Sequence, residues 1–580
     1  MKLKRTAAAL TAAAMLPLCA CQSAPPQVQL DPSSPTAIEI WHYYNGAQKE
    51  AFDSLVTEFN ETVGREKGIV VEAFSQGNVN DLIQKVTDAA DKKVGASEIP
   101  DIFSAYVDTA YAMDQRGLVA PLDSYMTQEE LDQYVDAYID EGRFDQEENL
   151  KIFPVAKSTE VFMLNKTDWD KFAADTGASL DSLSTVEGVT QTAAQYYEWS
   201  GGKAFFGRDA VANYFITGCK QLGHEIFAVK DGKVTFDTDE DTLRKLWENY
   251  YVPMVQGHFG AYGKFRSDDV KTGDLIALVG STSGAAYFPT QVTINDTESY
   301  QIETLVLPPP VFKDGSPYAV QQGAGMVVVK SDEKREYASV EFLKWFTDAQ
   351  RNLQFSTESG YLPVKKEANS LKALEAAELS GAGEALEKTL TVAIDVVNGY
   401  TLYTNKAFEN GTNARNVLES CMTDRAQADL EQIQALVDGG MTRKEAAAQF
   451  TTEERFQSWL KEFRGKLEES MKEKFRRSSI GTRMFLVMGV VLLLQTGLIT
   501  GSIIGSGAIE RLSENSYDIF NQKIITRKNY LEYEMISRWS NLTEAEQKIE
   551  AHFSRVLEKN NAGFDEIETN SDLAVELLRN

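Results

Sequence analysis

Apolar and polar positions follow two rhythms at the start of the long stretch 37–470. Short apolar runs at 37–44 (AIEIWHYY), 68–75 (GIVVEAFS) and 100–106 (PDIFSAY) have the length and composition of β-strands. The stretches between them carry apolar residues at helical spacing, and in the first these are Phe52, Leu55, Val56 and Phe59. The order β-α-β-α-β predicts a largely parallel sheet with helices on both faces.

An open parallel sheet binds its ligands beyond the carboxyl ends of its strands. The aromatic and polar residues at those ends are Trp41, Tyr43, Tyr44, Asn45, Ser75, Gln76, Asn78, Tyr106 and Asp108. Aromatic rings can stack on a small ligand, and amide, hydroxyl and carboxylate groups can hydrogen-bond its polar atoms. The alternative for each aromatic residue is packing in the core, which is the commoner place for a ring beside a strand.

The same α/β alternation continues to about residue 470. An extended stretch at 152–166 has Lys157 and Ser158 near its middle, and an apolar run at 275–280 leads into the hydroxyl turn 281–283. The strand at 318–331 contains Gln322 and Gly323, where the backbone can approach a ligand closely. Further aromatic residues that could stack on a ligand are Trp199, Tyr287 and Tyr361.

A different pattern begins after residue 471. Residues 484–509 contain no charge, and these 26 residues exceed the roughly 20 that a helix needs to cross a bilayer. Five basic residues precede this stretch between 472 and 483, which favours the cytoplasmic side for them and the outside for 510–580. The pattern predicts a transmembrane helix at 484–509 followed by an amphipathic α-helical tail.

The first 36 residues predict export. A basic start (Lys2, Lys4, Arg5) and a short apolar region are typical of a signal peptide at 1–21. Its end, Leu-Cys-Ala-Cys, resembles a bacterial lipoprotein box, and this resemblance implies lipid attachment to Cys21; the alternative is simple cleavage nearby. Residues 22–36 are polar and proline-rich, so they are expected to form a flexible tether at the outer face of the cytoplasmic membrane.

The two membrane predictions conflict, because a lipid-anchored chain has residue 470 outside while the basic flank places 471–483 inside. Our hypothesis is that two reading frames are joined at Met471. The second frame, 471–580, resembles the amino end of a bacterial membrane sensor such as a histidine kinase. The alternative is one natural protein, in which the helix is a second anchor and the binding domain serves as a sensor input.

Composition narrows the function. The net charge of −28 excludes nucleic acid as an expected partner, because binding phosphates needs a cationic surface. The four histidines have no metal-ligand spacing, and no zinc motif, P-loop or G-x-S-x-G sequence occurs. We therefore predict no metal, no cofactor and no catalytic residues. Cys219 and Cys421 are free to pair, but nothing in the sequence requires it.

Several segments between 37 and 470 together resemble the family 1 extracellular solute-binding proteins of ATP-driven importers, the sugar-binding group. They are IEIWHYYNGAQKEAFDSLVTEFN, PDIFSAY, FPVAKSTEVFMLNK, TGDLIALVGSTSG and QQGAGMVVVKSDEKREYASVEFLKWFTDAQRNLQFSTESGYLPVKKEA. The glycerol-3-phosphate-binding members have the most similar pattern. The resemblance implies an α/β two-lobed periplasmic-binding-protein-like fold (type II), with lobe 1 at about 37–155 and 280–320 and lobe 2 at about 156–279 and 321–470.

The resemblance also implies a mechanism and contacts. Two hinged lobes close on a carbohydrate, which importer membrane subunits then receive. The family positions imply ligand contacts at Ser158, Ser283, Gly323 and Tyr361. The chain departs from the phosphate-binding members at Val79, where they have a tyrosine, and it shows no clear equivalent of their late arginine. An anionic phosphate favours a bidentate arginine, so a neutral saccharide is expected. The rival class is a carbohydrate-acting enzyme, which requires two carboxylates at a fixed separation.

Overall fold

The computed structural model describes residues 28–145, 147–230, 232–377 and 383–472. The strands are β1 Thr36–His42, β2 Ile69–Ser75, β3 Ile102–Ala105, β4 Glu160–Asn165, β5 Phe206–Arg208, β6 Phe227–Lys230, β7 Lys233–Phe236, β8 Ala277–Ser281, β9 Gln291–Asn295, β10 Glu298–Gln301, β11 Thr304–Leu307, β12 Tyr318–Val320, β13 Gly325–Val328 and β14 Thr401–Tyr403.

The α-helices are α1 Gly46–Glu61, α2 Val63–Lys67, α3 Val79–Ala90, α4 Val107–Asp114, α5 Gln128–Leu131, α6 Asp136–Glu141, α7 Lys166–Thr176, α8 Val186–Ser200, α9 Val211–Gln221, α10 Glu240–Gln256, α11 Arg266–Lys271, α12 Glu333–Phe346, α13 Ala349–Ser359, α14 Leu371–Ala376, α15 Glu384–Gly399, α16 Gly411–Asp438, α17 Arg443–Ala448 and α18 Glu453–Ser470. Short 3-10 helices occupy Leu122–Ser124, Leu180–Ser184 and Thr282–Tyr287.

Lobe 1 is built on a four-stranded sheet in the order β13-β3-β1-β2. The predicted β-α-β-α-β order is confirmed, since β1 pairs in parallel with both β2 and β3. Strand β13 closes the other edge of the sheet, antiparallel to β3. Helix α1 buries the apolar stripe expected from the sequence, in a core that helices α12 and α13 also line.

Lobe 2 is built on a second four-stranded sheet, in the order β11-β4-β8-β5. All six residues of β4 are buried, as expected for a central strand covered on both faces. Helices α8, α9, α10, α16 and α18 enclose a large aromatic core, in which the rings of Trp247 and Tyr251 stack with centroids 3.6 Å apart. Both lobes are therefore α/β layers, as the sequence predicts.

The predicted division into lobes is wrong after residue 279. Strands β8 and β11 pair with β4 in the sheet of lobe 2, so residues 280–320 do not belong to lobe 1. Strand β13, α12 and α13 pack in lobe 1, so the stretch 325–359 does not belong to lobe 2. Apolar periodicity identifies a strand but not the sheet in which it pairs, and this is why the pattern misplaced these segments.

Three segments within the described residues cross between the lobes side by side. The backbones of Ser158 and Gln322 exchange two hydrogen bonds, of 3.0 and 2.9 Å. Lys157 exchanges a further pair with Leu362, one of which is 3.1 Å long. We call the segments 155–159, 320–324 and 361–370 the hinge, since any opening of the lobes must bend them.

The described part of the predicted tether is folded from Leu30 onward. Leu30 packs against the core of lobe 1, and the Thr36 backbone N–H donates to the Gly68 carbonyl at 2.8 Å. Gly68 has a φ of +75°, and a Cβ there would lie 2.6 Å from the Asp31 carbonyl. The binding domain therefore begins about seven residues before the predicted boundary at 37.

The other membrane-related predictions fall outside the described residues. These are the signal peptide 1–21 with Cys21, the helix 484–509 and the tail 510–580. No helix within the described ranges is long and apolar enough to span a membrane. Cys219 and Cys421 are buried free thiols, and burial raises the pKa of the Cys421 thiol to about 11.

Candidate functional site

Hydroxyl groups from both lobes meet beside the hinge. Tyr43 follows β1, and its hydroxyl lies 3.3 Å from the hydroxyl of Tyr361, which follows α13. Tyr106 at the end of β3 lies near enough to Tyr43, and Ser283 of lobe 2 near enough to Tyr361, to influence the pKa values of these tyrosines. Burial raises the pKa of Tyr43 and Tyr361 well above the ordinary tyrosine value, so both remain protonated donors. The arrangement offers a cluster of uncharged donors and acceptors between the lobes.

An acidic and a basic side chain flank this hydroxyl cluster. Asp108 lies in the first turn of α4 in lobe 1, where its Oδ1 is buried and lacks a hydrogen-bond partner among the described residues. The carboxylate faces Gly411, the first residue of α16 in lobe 2, where a Cβ would collide with it. Burial raises the pKa of Asp108 to about 6, and the charge of Arg415 partly offsets this rise.

A buried polar chain in lobe 2 holds Arg415 in place. Glu160 is 5% exposed and accepts hydrogen bonds from Arg208 Nη2 at 2.6 Å and from Asn213 Nδ2 at 2.9 Å. Asn213 in turn accepts a hydrogen bond from Arg415 through its amide oxygen. Because these partners are themselves anchored, the guanidinium of Arg415 is preorganised toward Asp108.

The hinge contains a buried ion pair. Lys157 is 2% exposed, pairs with the carboxylate of Glu141 and donates to the Gly323 carbonyl at 2.8 Å. Gln321 donates to the same Glu141 carboxylate at 2.6 Å. These contacts connect two crossing segments to helix α6. The buried Glu141 carboxylate therefore anchors both segments of the hinge at one point. The side-chain oxygen of Gln322 is buried and without a protein partner in the described part of the chain.

Glycine is required at position 323. Its φ is +93°, and a Cβ there would lie 2.7 Å from the Ala156 carbonyl oxygen in the adjacent crossing segment. We expect Gly323→Ala to lower the free energy of unfolding by about 1–3 kcal/mol, through backbone strain and this collision. Urea denaturation measures the change. Gly465→Ala in helix α18, where a Cβ meets nothing within 4 Å, is the matched control and should be neutral or stabilising. Equal effects of the two substitutions would contradict the expectation.

The structure brings most of the predicted contacts together. Tyr43, Tyr106, Asp108, Ser283 and Tyr361 lie together where the two lobes meet, while Ser158, Gln322 and Gly323 form the adjoining hinge.

Four predicted contacts lie elsewhere. Trp41 is 5% exposed and donates to Glu39, and Tyr44 is 1% exposed among His42, Phe52 and Phe355. Both side chains are buried in the core of lobe 1, and their contact with a ligand stays a prediction. Asn45 and Gln76 lie at the outer edge near β2, where Asn45 donates to the Gly77 carbonyl and Gln76 accepts from Lys85 at 2.8 Å.

Sequence reasoning identified Asp108 and noted the position of Lys157, but it assigned no role in the site to Lys157, Glu160 or Arg415. Glu160 and Lys157 had a visible signal, because a charge inside an apolar strand is retained only with a partner. Arg415 had none, since it stands on a long helix 87 residues after the end of β13 at Val328, the last strand of the two main sheets, and its partners are set by tertiary packing. Arg415 lies near enough to Asp108 to lower its pKa, and it stands outside the stretch 398–411 in which the sequence shows no equivalent of the late arginine.

The carboxyl of Asp108 makes stability depend on pH. Its pKa of about 6 in the folded state is above the ordinary value of 3.8, so the folded protein binds more protons than the unfolded chain between pH 4 and 6. Stability contributed by this group therefore falls as pH rises through that window. We expect the stability of Asp108→Asn relative to wild type to increase by about 2 kcal/mol between pH 4.5 and 7.5. Denaturation at both pH values tests this, with the exposed Asp296→Asn as control. A constant difference would contradict the expectation.

Two α/β lobes on a three-segment hinge, with polar groups of both lobes converging between them, define a hinged solute-binding protein. The family comparison agrees. The chain belongs to the bacterial extracellular solute-binding proteins, whose family model matches residues 54–380.

Solved structures share this fold at low sequence identity. The cyclic α-maltosyl-1,6-maltose binding protein of Arthrobacter globiformis is 17% identical with a TM-score of 0.55, covering 76% of this chain and 100% of its own. UgpB of Mycobacterium tuberculosis, in complex with glycerophosphocholine, is 18% identical with a TM-score of 0.54, covering 76% and 100%. The GacH receptor of Streptomyces glaucescens, solved unliganded and with acarbose, is 15% identical with a TM-score of 0.53, covering 75% and 99%.

Proposed function

We propose that this protein captures a neutral carbohydrate outside the cytoplasmic membrane and delivers it to an ATP-driven importer. The observation that carries the proposal is the convergence of Tyr43, Tyr106, Tyr361 and Ser283 hydroxyls from both lobes on one polar space. Such groups match the hydroxyls of a saccharide, and the structural neighbours from Arthrobacter and Streptomyces are described with oligosaccharide-type ligands.

The charges of the site favour a neutral ligand over an anion. Above pH 6 the Asp108 carboxyl is mostly ionised and stands beside Arg415, so the positive charge is largely balanced. A phosphodiester would meet the carboxylate as well as the guanidinium. The complex of UgpB with glycerophosphocholine makes that solute the appropriate competitor in a test.

Closure would follow from the ligand bridging both lobes. Tyr43, Tyr106 and Asp108 are on lobe 1, while Ser283 and Arg415 are on lobe 2, so a bound sugar contacts both only when the lobes are closed. Its higher affinity for the closed state supplies the free energy of closure. The closed form is then the species that the importer's membrane subunits receive.

Membrane attachment is the second part of the proposal. Lipid on Cys21 would hold the protein at the outer face of the membrane, and the apolar stretch 484–509 would be a further membrane contact. Residues 471–580 are proposed to come from a second, sensor-like reading frame joined at Met471. An uninterrupted natural transcript across codon 471 would overturn the hypothesis that two reading frames are joined there. Protease protection in intact cells would show on which side of the membrane residues 510–580 lie.

Calorimetric titration of the full-length protein with a ligand panel tests the function. The panel contains maltose, maltotriose, mannobiose, acarbose and glycerophosphocholine. We expect heat with at least one neutral saccharide, a decrease of the radius of gyration in X-ray scattering when it binds, and no cleaved product. Heat with glycerophosphocholine alone would overturn the neutral-sugar proposal, and product formation would support the enzyme alternative.

A further inference from the structure

A second cavity lies within lobe 2, separate from the cleft between the lobes. Its volume is about 640 Å³, within the range of small-molecule sites. It is lined by helices α8, α16 and the start of α17 together with the loop 257–262 that follows α10. We call it the lobe 2 pocket. Since all these elements belong to the same lobe, its shape does not depend on opening of the hinge.

Two tyrosine rings form the aromatic part of the lobe 2 pocket. Tyr197 of α8 packs its ring against His258 with centroids 5.1 Å apart, and Tyr262 is 64% exposed. Both rings line this cavity, Tyr197 beside Gly202 and Gly257 and Tyr262 beside Gly260. Neither hydroxyl has a hydrogen-bond partner within the described part of the protein.

Arg443 is the charged group of the pocket. Its Nε is buried without a hydrogen-bond partner, and no carboxylate among the described residues pairs with its guanidinium. It lies against the left-handed Gly257, where a Cβ would come within 3.0 Å of the Arg443 Nε and 3.2 Å of the Tyr197 ring. A partly desolvated guanidinium without a counter-ion favours an anionic ligand that can accept a bidentate pair of hydrogen bonds.

Amide side chains and glycines complete the pocket. Gln427 and Gln434 lie two turns apart on the same face of α16, with Leu430 between them. Gly202, Gly257 and Gly260 let the side chains of Tyr197, Tyr262 and Arg443 lie directly against the backbone, where a Cβ would come close to them. The pocket therefore combines stacking surfaces, amides for hydroxyl groups and one unpaired cation.

We propose that the lobe 2 pocket binds an acidic sugar, a uronic acid residue at the end of a saccharide. The tyrosine rings would cover the CH face of the sugar, the glutamines would bind its hydroxyls, and Arg443 would bind its carboxylate. An inorganic anion would leave the rings unused, and a neutral sugar would leave the guanidinium unpaired. This second site does not rest on the ligand proposed for the cleft.

Cellobiouronic acid and cellobiose provide a matched pair of probes, because they differ only in a carboxylate against a hydroxymethyl group. We expect the full-length protein to bind the acid about tenfold or more tightly than cellobiose at low salt. Arg443→Ala should lose about tenfold in affinity for the acid and abolish the preference, and Tyr262→Ala should also weaken binding. Raising the salt concentration should weaken binding of the acid alone.

Two controls keep the test decisive. Arg65→Ala removes an exposed arginine of lobe 1 and should leave the preference for the acid unchanged. Arg443→Gln retains polar contacts without charge, so it separates loss of charge from any loss of folding in Arg443→Ala. Equal affinity for the two disaccharides in the wild type, or an unchanged preference in Arg443→Gln, would overturn the proposal.

Discussion

Lys157→Ala is expected to lower the free energy of unfolding by about 3–5 kcal/mol, the largest loss among the single substitutions considered for this protein. The substitution leaves the Glu141 carboxylate, 8% exposed, without its cation, and the Gly323 carbonyl without the hydrogen bond from Lys157. An uncompensated buried charge is far more costly than the absence of the whole pair. Guanidinium denaturation followed by tryptophan fluorescence measures the loss.

The controls for this experiment separate burial from charge. Lys49→Ala breaks the exposed pair with Asp53, whose side chains are 44% and 39% exposed, and should change stability by about 1 kcal/mol or less. The double variant Glu141→Leu/Lys157→Met replaces the buried pair by apolar groups and should recover most of the loss. If Lys157→Ala lowers the free energy of unfolding by less than about 1 kcal/mol, the Lys157–Glu141 pair does not stabilise the hinge.

Arg415→Ala is expected to weaken binding of the tightest-binding saccharide of the panel by about 30-fold or more. The substitution removes a charged donor and leaves the Asp108 carboxylate of the opposite lobe without its neighbouring cation. It also removes the hydrogen bond to Asn213, although the Glu160–Arg208 pair that anchors Asn213 remains. Calorimetry of the full-length protein gives the affinity.

The neighbouring residue offers a matched control. Asn416 is exposed on the same turn of α16, and Asn416→Ala should bind the saccharide as wild type does. Because Arg415 lowers the pKa of Asp108, its removal should move the pH dependence of stability to higher pH. Affinity within threefold of wild type for Arg415→Ala would exclude this arginine from the binding surface.

The fold of lobe 1 was predictable because local pattern and topology agree there. Strands β1, β2 and β3 alternate with helices and pair in parallel, as the local pattern predicts, although β1 rather than β2 lies in the middle of the three. The assignment of β8, β11 and β13 to lobes was not predictable in this way. These strands make long-range, largely antiparallel pairs, and the sequence of a strand does not specify a partner more than 100 residues away.

In the site, too, residues placed by the local strand pattern were predictable, and residues placed by long-range packing were not. Tyr43, Tyr106 and Asp108 follow strand ends and were found by that rule, whereas Trp41 and Tyr44 satisfy the rule equally well and are core residues. Which side of a strand end faces the cleft depends on the helices that cover the sheet. Arg415 reaches the site through a chain of partners, Glu160 and Asn213, that only the folded structure brings together.

Because the chain crosses between the lobes three times, lobe 1 cannot finish folding until most of the binding domain has been synthesised. Lobe 1 takes its edge strand β13 and helices α12 and α13 from residues 325–359, so the amino-terminal 157 residues alone cannot complete its core. A ribosome adds about 5–20 residues per second, so synthesis from residue 157 to residue 359 leaves this lobe incomplete for roughly ten to forty seconds. During that interval lobe 1 remains incompletely folded. Export through a secretion channel requires an unfolded chain, so this delay would favour the export predicted from the first 36 residues.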